Sequence, residues 1–190
     1  MSNYSAIVIG VSAGGLDALM YIFENLKEDF PMPIILVQHL HSNSKSELAE
    51  ILSRNTEMKV KEVNEVVAAE CGVIYTAPPD YHIIAERNRT ISIYYDEKVN
   101  YSRPSIDVLF ESAAYVWGKE LIGIIMTGSN NDGSNGIEVI KKYGGLTIAE
   151  NPETAEYPVM PKYAIETGCI DKVLTKEEIR LFLENHSTKE

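Results

Sequence analysis

The sequence predicts an α/β protein: a doubly wound, mostly parallel sheet with helices on both faces and a small antiparallel hairpin. Three observations carry this expectation. Ala6-Ile-Val-Ile-Gly10, Ile34-Ile-Leu-Val37 and Leu121-Ile-Gly-Ile-Ile-Met126 are short, wholly apolar and rich in β-branched residues, the pattern of strands buried on both faces. Segments with apolar residues at helical spacing alternate with them. The three most polar loops directly follow these three strands, and in such sheets ligands bind beyond the carboxyl ends of the strands.

Taken in order, Ala6–Gly10 is the first strand and Gly10–Gly15 a turn. Leu16, Leu19, Met20 and Phe23 then recur at helical spacing. Ile34–Val37 is the second strand, and Ser46–Leu52 a helix with Leu48, Ile51 and Leu52 on one face. Val73–Thr76, Tyr81–Ala85 and Thr90–Tyr94 read as short strands of a hairpin region, an antiparallel edge or extension. Ile106, Leu109, Phe110, Ala113, Ala114 and Trp117 mark the strongest helix, with Pro104 expected in its first turn, where a missing N–H has no intrahelical partner. Leu121–Met126 is a strand, Ile137–Tyr143 a helix ended by Gly144-Gly145, and Leu146–Ala149 a further strand. Pro158–Pro161 opens a helix or turn. Thr175-Lys-Glu-Glu178 is a capping box that starts a last helix with Ile179, Phe182 and Leu183 inward, and a frayed tail is expected from Asn185.

Composition narrows the function. The 190 residues carry 17 Lys+Arg against 28 Asp+Glu, a net charge of −11, which disfavours nucleic acid and anionic membrane as partners. Hydrophobic residues at 45% are enough for a core, no apolar run approaches a membrane span, and the two cysteines cannot make a disulfide framework. With no signal-peptide pattern at the N-terminus, a cytoplasmic protein is expected.

The first polar loop, Gly10-Val-Ser-Ala-Gly-Gly15, contains Gly10-x-Ser12-x-Gly14, the pattern of a nucleophile elbow. A serine on a sharp strand-to-helix turn exposes its hydroxyl, and the helix N-terminus favours a developing oxyanion. A dinucleotide-binding turn is disfavoured. Ser12 stands where a glycine is needed, and the second strand ends in Val37-Gln38-His39 with no acidic residue for a ribose. His39, at the end of that strand, could reach Ser12 as a general base if the two strands are neighbours. His39 and His41 would face one way on a strand, as metal ligands can, but no further ligands complete a zinc site. No metal and no cofactor are expected. The third loop, Thr127–Gly136, holds Asp132 where a carboxylate could orient an imidazole. It fails as a calcium loop, because Ile137 and Tyr143 occupy the glycine and glutamate positions counted from Asp132. Asp132 is also an ordinary helix cap. Arg103, before the Trp117 helix, could bind a carboxylate or a carbonyl. Arg103, Lys45 and Arg54 together are a candidate basic rim.

Together these loops resemble the catalytic domain of bacterial chemotaxis protein-glutamate methylesterases (CheB-type). The matching segments are Gly10–Gly15, Val37-Gln-His-Leu40, Gly72–Pro79, Arg103-Pro-Ser-Ile-Asp-Val-Leu-Phe110, Thr127-Gly128 with Asp132-Gly133, and Met160-Pro-Lys-Tyr-Ala164, within roughly residues 5–174. The resemblance implies a nucleophile at Ser12, a base at His39, an orienting carboxylate at Asp132, and an oxyanion held by the backbone N–H groups of Ala13 and Ser129. It implies hydrolysis of glutamyl methyl esters on methyl-accepting chemotaxis receptors, with glutamine deamidation through the same intermediate. Residues 1–190 would form a single catalytic domain without the family's receiver domain. Thr127-Gly-Ser-Asn130 departs from the Thr-Gly-Met-Gly of the family, so Asn130 stands where a glycine could take an unusual φ, which Asn tolerates better than most residues. The segment His41–Ser44 lacks the usual proline. The other readings are an esterase on a different substrate and a catalytically impaired partner-binding domain of the same fold.

Overall fold

The computed structural model describes residues 4–39 and 47–186. Among them the elements run β1 (Ala6–Val11), α1 (Gly15–Phe23), β2 (Ile34–Gln38), α2 (Leu48–Ser53), β3 (Lys59–Glu62), β4 (Val67–Ala68), β5 (Val73–Thr76), β6 (His82–Ala85), β7 (Thr90–Tyr94), α3 (Ile106–Trp117), β8 (Leu121–Ile125), α4 (Ser134–Lys142), β9 (Leu146–Glu150), α5 (Val159–Glu166), β10 (Lys172–Leu174) and α6 (Lys176–Asn185).

Seven of these strands form one sheet in the order β10-β9-β8-β1-β2-β5-β3, and every pairing within it is parallel. The remaining three form a small antiparallel sheet, β4-β7-β6. Alternating residues of β1 divide between two cores. Ala6 and Val8 pack with Ile106, Leu109, Phe110, Ile137, Ile140 and Met160 of α3, α4 and α5. Ile7, Ile9 and Val11 pack with Leu19, Ile22, Phe23, Leu52, Ile179 and Leu183 of α1, α2 and α6. Burial on both faces explains why the central strands are apolar throughout rather than alternating. Each fully buried Ile or Leu contributes roughly 2 kcal/mol relative to exposure.

The expected fold class holds, with local corrections. Val73–Thr76 does not join the hairpin region; it pairs parallel with β2 and β3 inside the main sheet, where all four of its residues are buried. β3, Lys-Val-Lys-Glu, is an additional strand with no apolar run to predict it; its charges suit an edge strand, which they guard against further pairing. The short strands β4 and β10 are likewise additional to the strands the sequence predicts. Pro104 precedes α3 rather than entering it, because Ser105 is extended (φ −109°, ψ 140°) and serves as the N-cap. Asn185 is the last residue of α6 rather than part of a frayed tail. The capping box is present as read, with Thr175 Oγ1 accepting the Glu178 N–H and the Glu178 carboxylate accepting the Thr175 N–H.

Candidate active site

β8, β1 and β2 are adjacent in the sheet, and the loops leaving their carboxyl ends carry Asp132, Ser12 and His39. The connections on the two sides of β1 run in opposite directions at this point, so the loops splay apart and leave a crevice. Ser12 lies between β1 and α1. Its N–H donates to the Thr127 carbonyl at 3.0 Å, and its own carbonyl accepts the Gly15 N–H at 2.9 Å. Gly14 closes this turn at φ +71°, and a Cβ there would stand 2.8 Å from a Glu156 carboxylate oxygen. Only glycine makes so tight a passage without strain.

Nδ1 of His39 lies 3.2 Å from Ser12 Oγ, and Nε2 lies 2.8 Å from Asp132 Oδ2. Gln38 clips the two loops together, donating from Nε2 to the carbonyls of Ser12 (2.8 Å) and His39 (3.1 Å). The Asp132 side chain is fully buried. Besides His39, it accepts hydrogen bonds from Asn100 Nδ2 (2.8 Å), Ser105 Oγ (2.8 Å), and the N–H groups of Ile106 (2.6 Å) and Asp107 (3.2 Å). Burial pushes this carboxyl up. The donors from His39, Asn100 and Ile106 outweigh burial and hold it below the usual carboxylate range. An ionised Asp132 only accepts, so a neutral His39 carries its proton on Nε2 and turns a lone pair on Nδ1 toward Ser12. This is the protonation pattern a general base requires.

Asp132 is a helix cap, as its residue type allowed, but of α3 rather than of the helix that follows it. Asp107, in the first turn of α3, accepts the Gly136 N–H at 2.7 Å and Asn135 Nδ2 at 3.0 Å. Asn100 Nδ2 donates to both carboxylates at 2.8 Å and so bridges them. Burial first, and then the charge of Asp132, push the Asp107 carboxyl up.

Thr127 ties the other side of the site together. Its Oγ1 donates to the Ala13 carbonyl at 2.9 Å and accepts the Tyr157 N–H at 2.9 Å, while its N–H is held by the buried Glu150 carboxylate at 2.8 Å. The neighbouring Gly128 N–H donates to the Tyr157 carbonyl at 2.9 Å. Among the described residues, no acceptor engages the N–H of Ala13 or of Ser129, and both residues line the same cavity. Free backbone donors in a cavity that also holds a hydroxyl are the kind of groups that can stabilise an oxyanion.

That cavity, about 510 Å³, is lined by Ser12, Ala13, His39, Arg103, Ser129 and Asn130, with Lys98 and Tyr101 at its edge. Arg103 lines the cavity, but its guanidinium is partly committed within the fold. Nε and Nη2 donate to Asp80 Oδ1 at 3.1 and 2.7 Å, Nη1 donates to the Asp96 carbonyl, and the guanidinium stacks 3.9 Å over the Tyr95 ring. The expected basic rim does not form: Arg54 pairs with Glu50 one turn away on α2 and does not line the cavity. Lys45 and His41, with the rest of the His41–Ser44 segment, lie outside the described residues. Among the described residues, no group of three or more His, Cys, Asp and Glu could hold a metal ion. Asn130 is not in the left-handed region; the positive φ of this loop belongs to Gly133, at +99°.

The residues that sequence reasoning did not single out are Asn100, Asp107, Thr127 and Glu150. An acid in a first helical turn and a threonine after a strand look ordinary, and nothing local marks Asn100. Their roles come from partners 7 to 114 positions away.

Comparison with known proteins identifies the family of the chain. The CheB methylesterase family profile matches residues 7–183. A Leptospira interrogans protein, provisionally named a protein-glutamate methylesterase/protein-glutamine glutaminase, is 47% identical over 177 residues, covering 93% of this chain and 92% of its own length. The Archaeoglobus fulgidus protein-glutamate methylesterase/protein-glutamine glutaminase is 39% identical over 185 residues; the match takes in 94% of this chain and only 53% of that protein. The crystal structure of the Thermotoga maritima CheB methylesterase catalytic domain superposes with a TM-score of 0.90 at 35% identity, covering 96% of this chain and 98% of that one. The chain belongs to the CheB methylesterase family.

Proposed function

We propose that this chain is a serine hydrolase that removes methyl esters from glutamyl side chains of methyl-accepting chemotaxis receptors, and deamidates glutamine by the same route. The observation that carries the reading is His39, hydrogen-bonded to Ser12 on one ring nitrogen and to an ionised Asp132 on the other. The names of the related proteins supply the substrate class.

On this reading Ser12 Oγ attacks the γ-carbonyl carbon while its proton passes to His39 Nδ1. The imidazolium is stabilised by Asp132 through Nε2–H. The oxyanion accepts the N–H groups of Ala13 and Ser129, each worth about 3 kcal/mol by analogy with the loss of a single such donor elsewhere. His39 returns the proton to the leaving oxygen and methanol departs; from a glutamine, ammonia departs instead. Water, deprotonated by the same nitrogen, then cleaves the acyl-enzyme. The N–H groups that Arg103 does not spend on Asp80 and Asp96 remain for a substrate carbonyl or carboxylate at the cavity wall. Residues 1–190 act as one catalytic domain, and the setting is the cytoplasm. No helix among the described residues is long and apolar enough to cross a membrane.

Methanol release from a methylated chemoreceptor cytoplasmic fragment tests this directly. Wild type should release methanol and Ser12→Ala should not. Equal release by both would remove Ser12 as the nucleophile. Release by neither, with Ser12 still labelled by a fluorophosphonate, would point to another ester substrate; without labelling, to a partner-binding domain.

A further inference from the structure

Asn130 occupies the cavity beside the proposed nucleophile, and its side chain makes two contacts that fix its orientation. Oδ1 accepts the Asp132 N–H at 3.1 Å, closing a two-residue turn. Nδ2 is thereby turned toward His39 and lies 3.2 Å from Nδ1, the same distance as Ser12 Oγ. Nε2 of His39 is committed to Asp132, so a neutral ring offers one acceptor, the in-plane lone pair on Nδ1. Two donors, the Ser12 hydroxyl and the Asn130 amide, aim at that one lone pair.

We propose that Asn130 competes with Ser12 for the general base: its amide holds the Nδ1 lone pair of His39 in the empty site and must leave before Ser12 can be deprotonated. This rests on the reading of Ser12 and His39 given above. It follows from proton balance. Once Nδ1 has taken the Ser12 proton it is itself a donor, and an amide N–H facing it has no acceptor. The amide must then turn to another oxygen. A substrate carbonyl seated against the Ala13 and Ser129 N–H groups supplies one in the same cavity. The device also has a use at rest, because a dedicated donor on Nδ1 keeps the ring in the tautomer with its proton on Nε2. Asn130 therefore makes attack by Ser12 slower than the site would otherwise allow, because its amide must give up the Nδ1 lone pair before an acceptor oxygen of the bound reagent, carbonyl or phosphonyl, can receive it.

The test is the rate at which a small alkyl fluorophosphonate labels Ser12 in the full chain. In that reaction the Ser12 Oγ–P bond forms, the P–F bond breaks, fluoride leaves and the proton goes to His39. Asn130→Ser keeps an oxygen for the Asp132 N–H but has no donor long enough to reach Nδ1. Asn130→Ser should be labelled about five-fold faster than wild type, the worth of one neutral hydrogen bond. An unchanged rate would overturn the competition and leave the Ser12 reading intact. A slower rate would also overturn it and recast Asn130 as a group that assists attack. No labelling of either protein would remove the nucleophile and the proposal together. A second measurement does not depend on Asn130 variants folding. In Ser12→Ala the ¹⁵N resonance of His39 Nδ1 should keep the upfield position of a hydrogen-bonded acceptor, since Asn130 alone remains on it. A free lone-pair position would end the proposal.

Discussion

Asp107 and Asp132 cap each other's helices. Asp132, in the loop before α4, accepts the N–H groups of Ile106 and Asp107 that open α3; Asp107, in α3, accepts the Gly136 N–H in the first turn of α4. Each carboxylate thus neutralises the positive end of the other's helix, an interaction worth up to about 2 kcal/mol in partly buried geometries. The crossing holds Asp132 at the position from which it orients His39.

The first prediction concerns tautomer. In Asp132→Asn, the new amide can donate to Nε2, moving the histidine proton to Nδ1 and turning a donor toward Ser12. The turnover number for methanol release should fall by about 10⁴, as in the corresponding change to a serine protease triad. A loss of less than ten-fold would show that Asp132 does not set the tautomer.

Asn100 tests whether the bridge between the carboxylates matters to chemistry. Asn100→Ala removes a donor from ionised Asp132. The kcat should drop roughly 10- to 100-fold with KM nearly unchanged, the range for one hydrogen bond to a charged group. Steady-state kinetics on the receptor fragment read this; a change confined to KM would place Asn100 in substrate binding instead.

Thr127→Val preserves shape but deletes the hydroxyl between Ala13 and Tyr157. It should destabilise the fold by about 1–3 kcal/mol, because the Ala13 carbonyl and Tyr157 N–H lose their partner. It should also lower kcat, because the Ala13 N–H is no longer pinned against the β8 loop. Urea melts and turnover together check this, and wild-type values for both would contradict it.

Asp107 makes a prediction about pH. Burial raises its carboxyl above the ordinary range, so between the unfolded pKa, about 3.9, and the raised native value the folded state binds more protons than the unfolded. Stability from this group is therefore present at low pH and declines as pH rises through that window. Asp107→Asn has no such decline. Its stability relative to wild type should improve from pH 4 to pH 7, as read by urea midpoints; a difference constant across pH would rule the mechanism out.

The sequence on its own determined the sheet's central strands, the faces of the amphipathic helices and the loops that carry the candidate site residues. These depend on the period of apolar residues and on local turn chemistry, both written along the chain. The buried face of α3, Ile106 to Trp117, was legible because its apolar stripe is uninterrupted, although the helix starts after Pro104 rather than including it. Ser12, His39 and Asp132 were legible because each follows a strand that could be recognised, and neighbouring parallel strands bring their ends together. The tertiary structure alone decided what holds them. It alone made β5 parallel, put Asp132 at the head of α3, drew Asn100 between two carboxylates and turned Asn130 toward His39. A hydrogen bond between residues far apart in sequence leaves no period and no local signature. Burial and partner supply are properties of the packed molecule, so the charge states of Asp107 and Asp132 are too.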